Sequence, residues 1–353
     1  MEKVIVAMSG GVDSSVAAAY LKEQGYEVIG LTFVMFSKND NLDPKDKRAI
    51  EDAKSVANQI GIKHFTENIT EEFHDKIIRD FINQYKNART PNPCVICNRK
   101  IKFNYLLDKT KDLNANYMAT GHYARIERDN KRVLLKKAID QKKDQSYMLY
   151  RMSQEQLEHT LFPMGKFKKE KIREMAKKYK LKIHDKPDSQ DICFIKNSNY
   201  IDFLENQSDD IGKPGPIIDI NGNKLGEHNG LHNYTIGQRR GLGISKPYPL
   251  YVVDLDSKNN TVVVGKNKNV FNNSFYIENP NWIYYNELSK PIVINCKIRY
   301  NSPEKLATVY PEESGLFKIV FKDEQRAITP GQSAVFYKND YVLGGGIIKW
   351  KIF

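Results

Sequence analysis

The chain has 353 residues, 40% of them apolar and 28% charged, with only four cysteines, which supports two or three fully cored domains and excludes a disulfide-held scaffold. No apolar run approaches the ~18 residues of a membrane-spanning helix, so none is expected. The net charge of +12 suits a polyanionic partner, although a chain rich in Lys, Asn and Ile can reach it by composition alone.

In chain order, "KVIVAM" reads as a strand starting almost at Met1, leaving no room for a targeting segment and giving a cytoplasmic expectation. "DSSVAAAYLKEQG", "YEVIGLTFVMF" and "KRAIEDAKSVANQIG" continue as helix, strand and helix. This βαβ order predicts an α/β domain built on a mostly parallel sheet. "DLNANYMATGH" reads as a helix end feeding a short strand, and "KEKIREMAKKYK" as a further helix. Near Ile211 the composition turns rich in Gly, Asn and Pro, with Asn221-Gly222 predicting a hairpin turn. From about Pro249, short alternating runs ("LYVVDLD", "NTVVVG", "PIVINCKIRY", "LFKIVF", "SAVFYK") predict a small β-barrel. The expected division is 1–207, 208–270 and 271–353.

Between the first strand and helix lies "SGGVDSS", Ser9 to Ser15. Paired glycines permit a tight turn, and the helix amides with the Ser9, Ser14 and Ser15 hydroxyls form a nest for pyrophosphate. The loop lacks the lysine of a Walker A motif, and it resembles the PP-loop of enzymes that split ATP to AMP and pyrophosphate. Asp13 reads either as a Mg²⁺ holder or as a first-turn acid. "PNPCVIC" carries Cys94 and Cys97, and a CxxC admits half a zinc site, a redox pair or substrate chemistry. Zinc is disfavoured because no second ligand pair follows. Pro93 suits a first helical turn, and Arg99, Lys100 and Lys102 predict a lowered thiol pKa. Cys296 in "VINCKI" reads as a buried small hydrophobe.

"AMSGGVDSSVAA", "ARTPNPCVICNRKIKF", "ATGHYAR", "KKDQSYMLY", "KPDSQDICFI", "YTIGQRRGLG" and "PGQSAVFY" occur in that order. Together they resemble the bacterial tRNA-specific 2-thiouridylase family over nearly the whole chain. The resemblance implies an N-terminal PP-loop domain, a small central domain and a C-terminal β-barrel. It implies ATP-dependent replacement of the C2 oxygen of wobble uridine 34 by sulfur in tRNAs for Lys, Glu and Gln. Cys193 is then the persulfide carrier and Cys97 its disulfide partner. Ala7, Met8, Ser9, Gly10, Gly11, Val12, Asp13 and Ser14 hold the phosphates, with Met35 against the adenine and Gly121 lining the same pocket. Asn92, Pro93 and Cys94 contact the target base. His122, Lys143, Asp144, Gln145, Arg299, Tyr300 and Gln332 contact tRNA. Many members carry Asp at the position of Cys94, whose role stays open: base contact, proton handling, or third ligand with Cys97 and Cys193 to a [4Fe–4S] cluster. ATP and Mg²⁺ are the implied cofactors, and a cysteine desulfurase or sulfur-relay protein the implied donor to a monomeric enzyme. A metabolite ligase with a similar loop and a non-catalytic RNA-binding module are the competing readings.

Overall fold

The computed structural model describes residues 1–37, 42–129, 131–188, 192–195, 199–208, 211–312 and 315–349. These fall into two compact units, each made of non-contiguous segments. Unit one comprises Met1–Ile77, Cys94–Gln190 and Asn339–Leu343. Unit two comprises Ile78–Pro93, Asp191–Lys338 and Gly344–Phe353.

Unit one is built on a five-stranded sheet in the order β3-β2-β1-β4-β7, with every pairing parallel. The strands are β1 (Lys3–Ala7), β2 (Glu27–Val34), β3 (Lys63–Asn68), β4 (Tyr117–Ala119) and β7 (Thr160–Leu161). Val4, Ile5 and Val6 are all fully buried, as expected of a central parallel strand covered on both faces. Each such side chain contributes about 1.5–3 kcal/mol on burial. Helix α1 (Val12–Glu23) packs on Val4 and Val6 through the buried Val16, Ala17 and Ala18, whose small side chains let it lie close. Helix α2 (Pro44–Ile60) starts with Asp43 accepting from Lys45 N–H and stops at Gly61 in the left-handed region. The hairpin β5 (Ala124–Arg128) and β6 (Val133–Lys137) gains an edge from Tyr341, paired with Lys136.

Unit two contains two β-structures. In the first, β8 (Gly215–Asp219) pairs with β9 (Lys224–His228) and, in parallel, with β11 (Thr261–Gly265), which pairs with β10 (Tyr251–Asp256). The β8–β9 turn lies at Asp219–Asn223, where Asn221-Gly222 predicted it, and Gly222 has φ +88°. Tyr251–Asp256 and Thr261–Gly265 therefore belong to this small sheet and not to the later barrel, as their alternating pattern alone implied. The second is a closed barrel of β12 (Phe271–Trp282), β15 (Phe317–Arg326), β14 (Lys305–Pro311), β13 (Ile292–Lys297), β16 (Ser333–Lys338) and β17 (Tyr341–Lys349), with β17 returning to β12. Cys296 is buried there, and burial raises its thiol pKa, as a small hydrophobe requires. No helix among the described residues is long and apolar enough to cross a membrane.

Candidate active site

Strand β1 ends at Ala7, and the chain turns through Met8–Gly11 into α1. Gly10 sits at φ +66°, and a Cβ there would lie 2.7 Å from the Ala49 carbonyl oxygen, so only glycine fits. Gly11 is the N-cap of α1 and makes no side-chain cap, which leaves the first-turn N–H groups available to an anion. Ser9 is exposed, and its hydroxyl meets that of the buried Ser14 at 3.3 Å. Ser15 is fully buried, and its hydroxyl donates to the Gly11 carbonyl at 2.9 Å as that of Ser14 does at 3.2 Å, so both brace the loop. Lys186 braces it from behind, donating to the Gly10 carbonyl at 2.8 Å and to Asp52 at 2.6 Å.

Asp13 neither caps α1 nor stands alone. Its carboxylate accepts from Lys169 Nζ at 2.7 and 2.9 Å and from the Tyr123 hydroxyl at 2.7 Å. Burial, then the Asp13 charge, raises the phenol pKa, so Tyr123 stays protonated. The same buried Lys169 reaches Asp188 at 2.8 Å, and Lys143 holds the other Asp188 oxygen at 2.7 Å. Burial pushes the Asp188 pKa up, but hydrogen bonds from Lys143 and Lys169 outweigh it and leave the carboxyl below its ordinary range. Gly121 closes over this turn: a Cβ on it would lie 2.6 Å from Ser14 N. Met35 is half-buried, and its N–H donates to Asp46 at 2.9 Å beside the Phe36 N–H at 2.7 Å. The phosphate-loop residues, Gly121 and, through Asp188, Lys143 thus converge on one region. Asp144 bonds the Ser146 hydroxyl at 2.7 Å, and Gln145 accepts from Tyr123 N–H at 2.9 Å, so both side chains are occupied within the fold.

His122 lies against Phe103 and Phe162, with ring centroids at 5.9 and 6.3 Å. Burial, helped by Lys102, pushes its pKa down to about 3, so the imidazole is neutral. The Thr120 hydroxyl accepts from the His122 backbone N–H at 3.2 Å and lies 2.7 Å from Nδ1, so one side chain holds both the backbone and the ring of His122.

Pro93–Cys97 is a short helix with Pro93 at its first position, continuing through a π-helical turn at Asn98–Lys102. Cys97 is buried and Cys94 half-buried. The expected lowering does not hold for Cys94: burial raises its thiol pKa and outweighs the opposing pull of Lys102. The Arg99 guanidinium donates to the Arg151 carbonyl. In unit two, Cys193 is half-buried and precedes Phe194, whose ring packs at 5.2 Å on both Phe81 and Phe203. Ser189, Gln190 and Asp191 of the same motif lie outside the described residues. Arg299 donates to the Arg326 carbonyl at 2.9 Å beside the half-buried Tyr300, and the Gln332 amide donates to the Thr90 carbonyl at 2.7 Å. No group of three or more His, Cys, Asp or Glu side chains that could hold a metal ion occurs among the described residues.

A parallel sheet whose first strand runs through a glycine turn into an uncapped helix start defines a nucleotide-binding α/β protein of the PP-loop type, here joined to β domains. Family models agree. One described as the tRNA methyl transferase HUP domain matches residues 2–197, the tRNA methyl transferase PRC-barrel domain matches 201–266, and the aminomethyltransferase beta-barrel domain matches 272–348. A curated protein of Halothermothrix orenii named tRNA-specific 2-thiouridylase MnmA is 53% identical and aligns over 99% of each chain. Another of Caldanaerobacter subterraneus subsp. tengcongensis, tRNA-specific 2-thiouridylase MnmA 1, is 51% identical over 99% of this chain and 98% of that one. The chain belongs to the tRNA-specific 2-thiouridylase family. Among solved structures, a 4-thiouridine synthetase–RNA complex with bound ATP matches 58% of this chain and 50% of that one, at 18% identity and TM-score 0.39.

Proposed function

We propose that the chain is an ATP-dependent tRNA-uridine 2-sulfurtransferase acting on uridine 34 of tRNAs for Lys, Glu and Gln. The observation that carries this reading is the intact phosphate loop on a chain 53% identical, end to end, to a named 2-thiouridylase. The methyl transferase wording of two domain models fits less well, because a loop built to hold phosphates has no work in a transfer that cleaves none.

Uridine O2 attacks the α-phosphorus of ATP, forming an O–P bond and releasing pyrophosphate, so that a poor leaving group becomes AMP. Ala7 through Ser14 cradle the phosphates, Met35 lies against the adenine, and Gly121 shapes the pocket. Mg²⁺ would sit on the phosphates beside Asp13, where Lys169 and Tyr123 fix the carboxylate, and would neutralise the leaving pyrophosphate. The terminal sulfur of a Cys193 persulfide adds to C2. Cys97 thiolate attacks the S–S bond, the electron pair goes to the transferred sulfur, AMP departs, and a Cys97–Cys193 disulfide closes. A two-electron reductant restores both thiols. Asn92, Pro93 and Cys94 meet the extruded base, and the neutral imidazole of His122 supplies a further hydrogen-bonding group to the tRNA. Arg299 and Tyr300 contact the tRNA, as does the segment Lys143–Gln145 through its main chain and the Lys143 stem.

The three parts of the work fall to residues 1–207, 208–270 and 271–353. A cysteine desulfurase or sulfur-relay protein supplies the persulfide, and the enzyme acts as a cytoplasmic monomer. The persulfide route needs only Cys97 and Cys193, and we prefer it to one with an iron–sulfur cluster on Cys94, Cys97 and Cys193. The test is incubation with unmodified tRNA, ATP, Mg²⁺, cysteine and a cysteine desulfurase. 2-Thiouridine should appear, and Cys97→Ser and Cys193→Ser should each abolish turnover. Full turnover by both variants sinks the mechanism.

A further inference from the structure

The segment "YTIGQRRGLG" of unit two, shortly before β10, has no part in the chemistry above. Its backbone is held from several sides. Gly237 N–H donates to the Val252 carbonyl at 2.8 Å, and Val252 N–H donates to the Gln238 carbonyl at 2.9 Å. Arg326 donates to the Gly237 carbonyl at 3.0 Å. The Gln238 side chain closes the turn: its oxygen accepts from Thr235 N–H at 3.0 Å, and its amide donates to the Arg240 carbonyl at 3.0 Å. Further on, Leu242 and Leu250 are buried in one cluster with Val252, Val262 and Val264, so the loop is pinned to the core of its own domain.

On this braced backbone Arg239 and Arg240 stand exposed, and among the described residues neither guanidinium has a hydrogen-bond or ion-pair partner. Arg239, Lys246 and Tyr248 line one concavity of about 660 Å³, and the Lys266 ammonium lies 4.9 Å from the Tyr248 ring centroid. Lys246 is partly offset by Asp219: hydrogen bonds from Asn223 hold that carboxyl below its ordinary pKa, and Lys246 adds to the pull. The uncompensated charge is therefore that of two adjacent arginines.

A guanidinium presents a planar fork that matches phosphate oxygens. An exposed fork gains little from one dissolved anion, because water and salt screen the pair. A polyanion is different, since every phosphate neutralised releases condensed counterions. We propose that the Arg239–Arg240 loop is a contact for backbone phosphates of the substrate tRNA. It gives the domain at 201–266 a task in binding that does not depend on base sequence. The proposal rests on the function read above for the identity of the RNA.

The test uses the full chain and unmodified tRNA, with Kd followed over about 0.05 to 0.2 M salt. For the double variant Arg239→Gln, Arg240→Gln the slope of log Kd against log salt should fall by about 1.4 to 1.8, and Kd near 0.1 M salt should rise about 10- to 100-fold. Thiolation at saturating tRNA and ATP affinity should stay within about twofold of wild type, which also shows that the variant is folded. Arg239→Lys with Arg240→Lys should keep the wild-type slope. The charge-matched control is Lys224→Gln with Lys171→Gln, which removes two ammonium groups already paired with Glu227 and Glu174. Its Kd should stay within about twofold of wild type. An equal loss in this control means that net charge alone acts and overturns the proposal. Wild-type Kd and slope in the arginine variant overturn it, as does a lowered ATP affinity with unchanged tRNA binding. Wild-type protein that binds tRNA but forms no 2-thiouridine overturns the functional reading, and the comparison of Kd and slope then still decides this contact.

Discussion

Replacing Gly121 by alanine puts a methyl group where the first turn of α1 already lies. The added Cβ would stand 2.6 Å from Ser14 N, 2.8 Å from Asp13 C and 3.0 Å from Asp13 Cβ. Ordinary contact begins near 3.4 Å, so the turn or the Gly121 strand end must shift by about 0.8 Å. Backbone conformation adds nothing, because Gly121 is not at positive φ. The cost in stability should be that of overpacking, about 1–3 kcal/mol. The larger effect falls on the nucleotide, whose phosphates rest on the same turn: a displacement of this size should lower the 2-thiouridine rate by up to about 100-fold. Urea unfolding, ATP titration calorimetry and thiolation should be measured together. Gly226→Ala is the control, since its Cβ would meet only Ile244 at 3.7 Å. A Gly121→Ala protein with wild-type ATP affinity and rate would refute the placement of the phosphates on α1.

Lys169→Met strips Asp13 and Asp188 of their shared ammonium; both carboxylates are partly solvated, so the expected loss is about 2 kcal/mol, below that of a fully buried pair. Asp13→Asn added to it should recover part of that loss in urea midpoints, and simple additivity would dissolve the network. His122 has its folded pKa near 3 against an ordinary 6.5, so as pH falls the unfolded chain takes the proton first. The stability this residue lends is complete above about pH 6.5 and declines toward pH 3 by about 1.4 kcal/mol per pH unit. His122→Gln should flatten the dependence in this window, and parallel profiles would place the ring in solvent. Cys94→Asp should retain thiolation, whereas Cys94→Ala should lose about 100-fold if the buried thiol handles a proton; an unimpaired alanine variant removes that role. Anaerobically purified protein should be fully active without iron or labile sulfide, and activity that tracks iron content would replace the thiol mechanism.

The nucleotide half was legible because its signals are local. Continuous apolar strands, helix periodicity and the paired glycines each fall within a dozen residues, and β1, β2, α1 and α2 lie where the pattern put them, whereas β3 carries no such apolar run. Lys169 was not legible: it is one of many lysines in "KFKKEKIREMAKKYK", and its partner Asp13 is 156 residues away. Lys186 and Asp188 were hidden for the same reason. The charges around Cys94 could be read, but its burial could not, and burial decides the sign of the thiol shift. Strands β10 and β11 alternate like barrel strands, and only their pairing with β8 separates them.

The five residues Asn339–Leu343 belong with the nucleotide unit although the segment Asp191–Lys338 of the other unit precedes them. They bring the Asn339 carbonyl to Lys137 Nζ at 2.9 Å, the Asp340 carbonyl to Lys137 N–H at 2.8 Å, and the Asp340 carboxylate to Arg125 at 2.7 Å. A nascent chain emerging from the ribosome thus carries the β5–β6 hairpin, with a buried lysine lacking these acceptors, until residues 339–343 have been made. A fragment cut at residue 207 would keep that defect permanently. Closure of this unit therefore waits on residues 339–343, which follow most of the other unit in the chain.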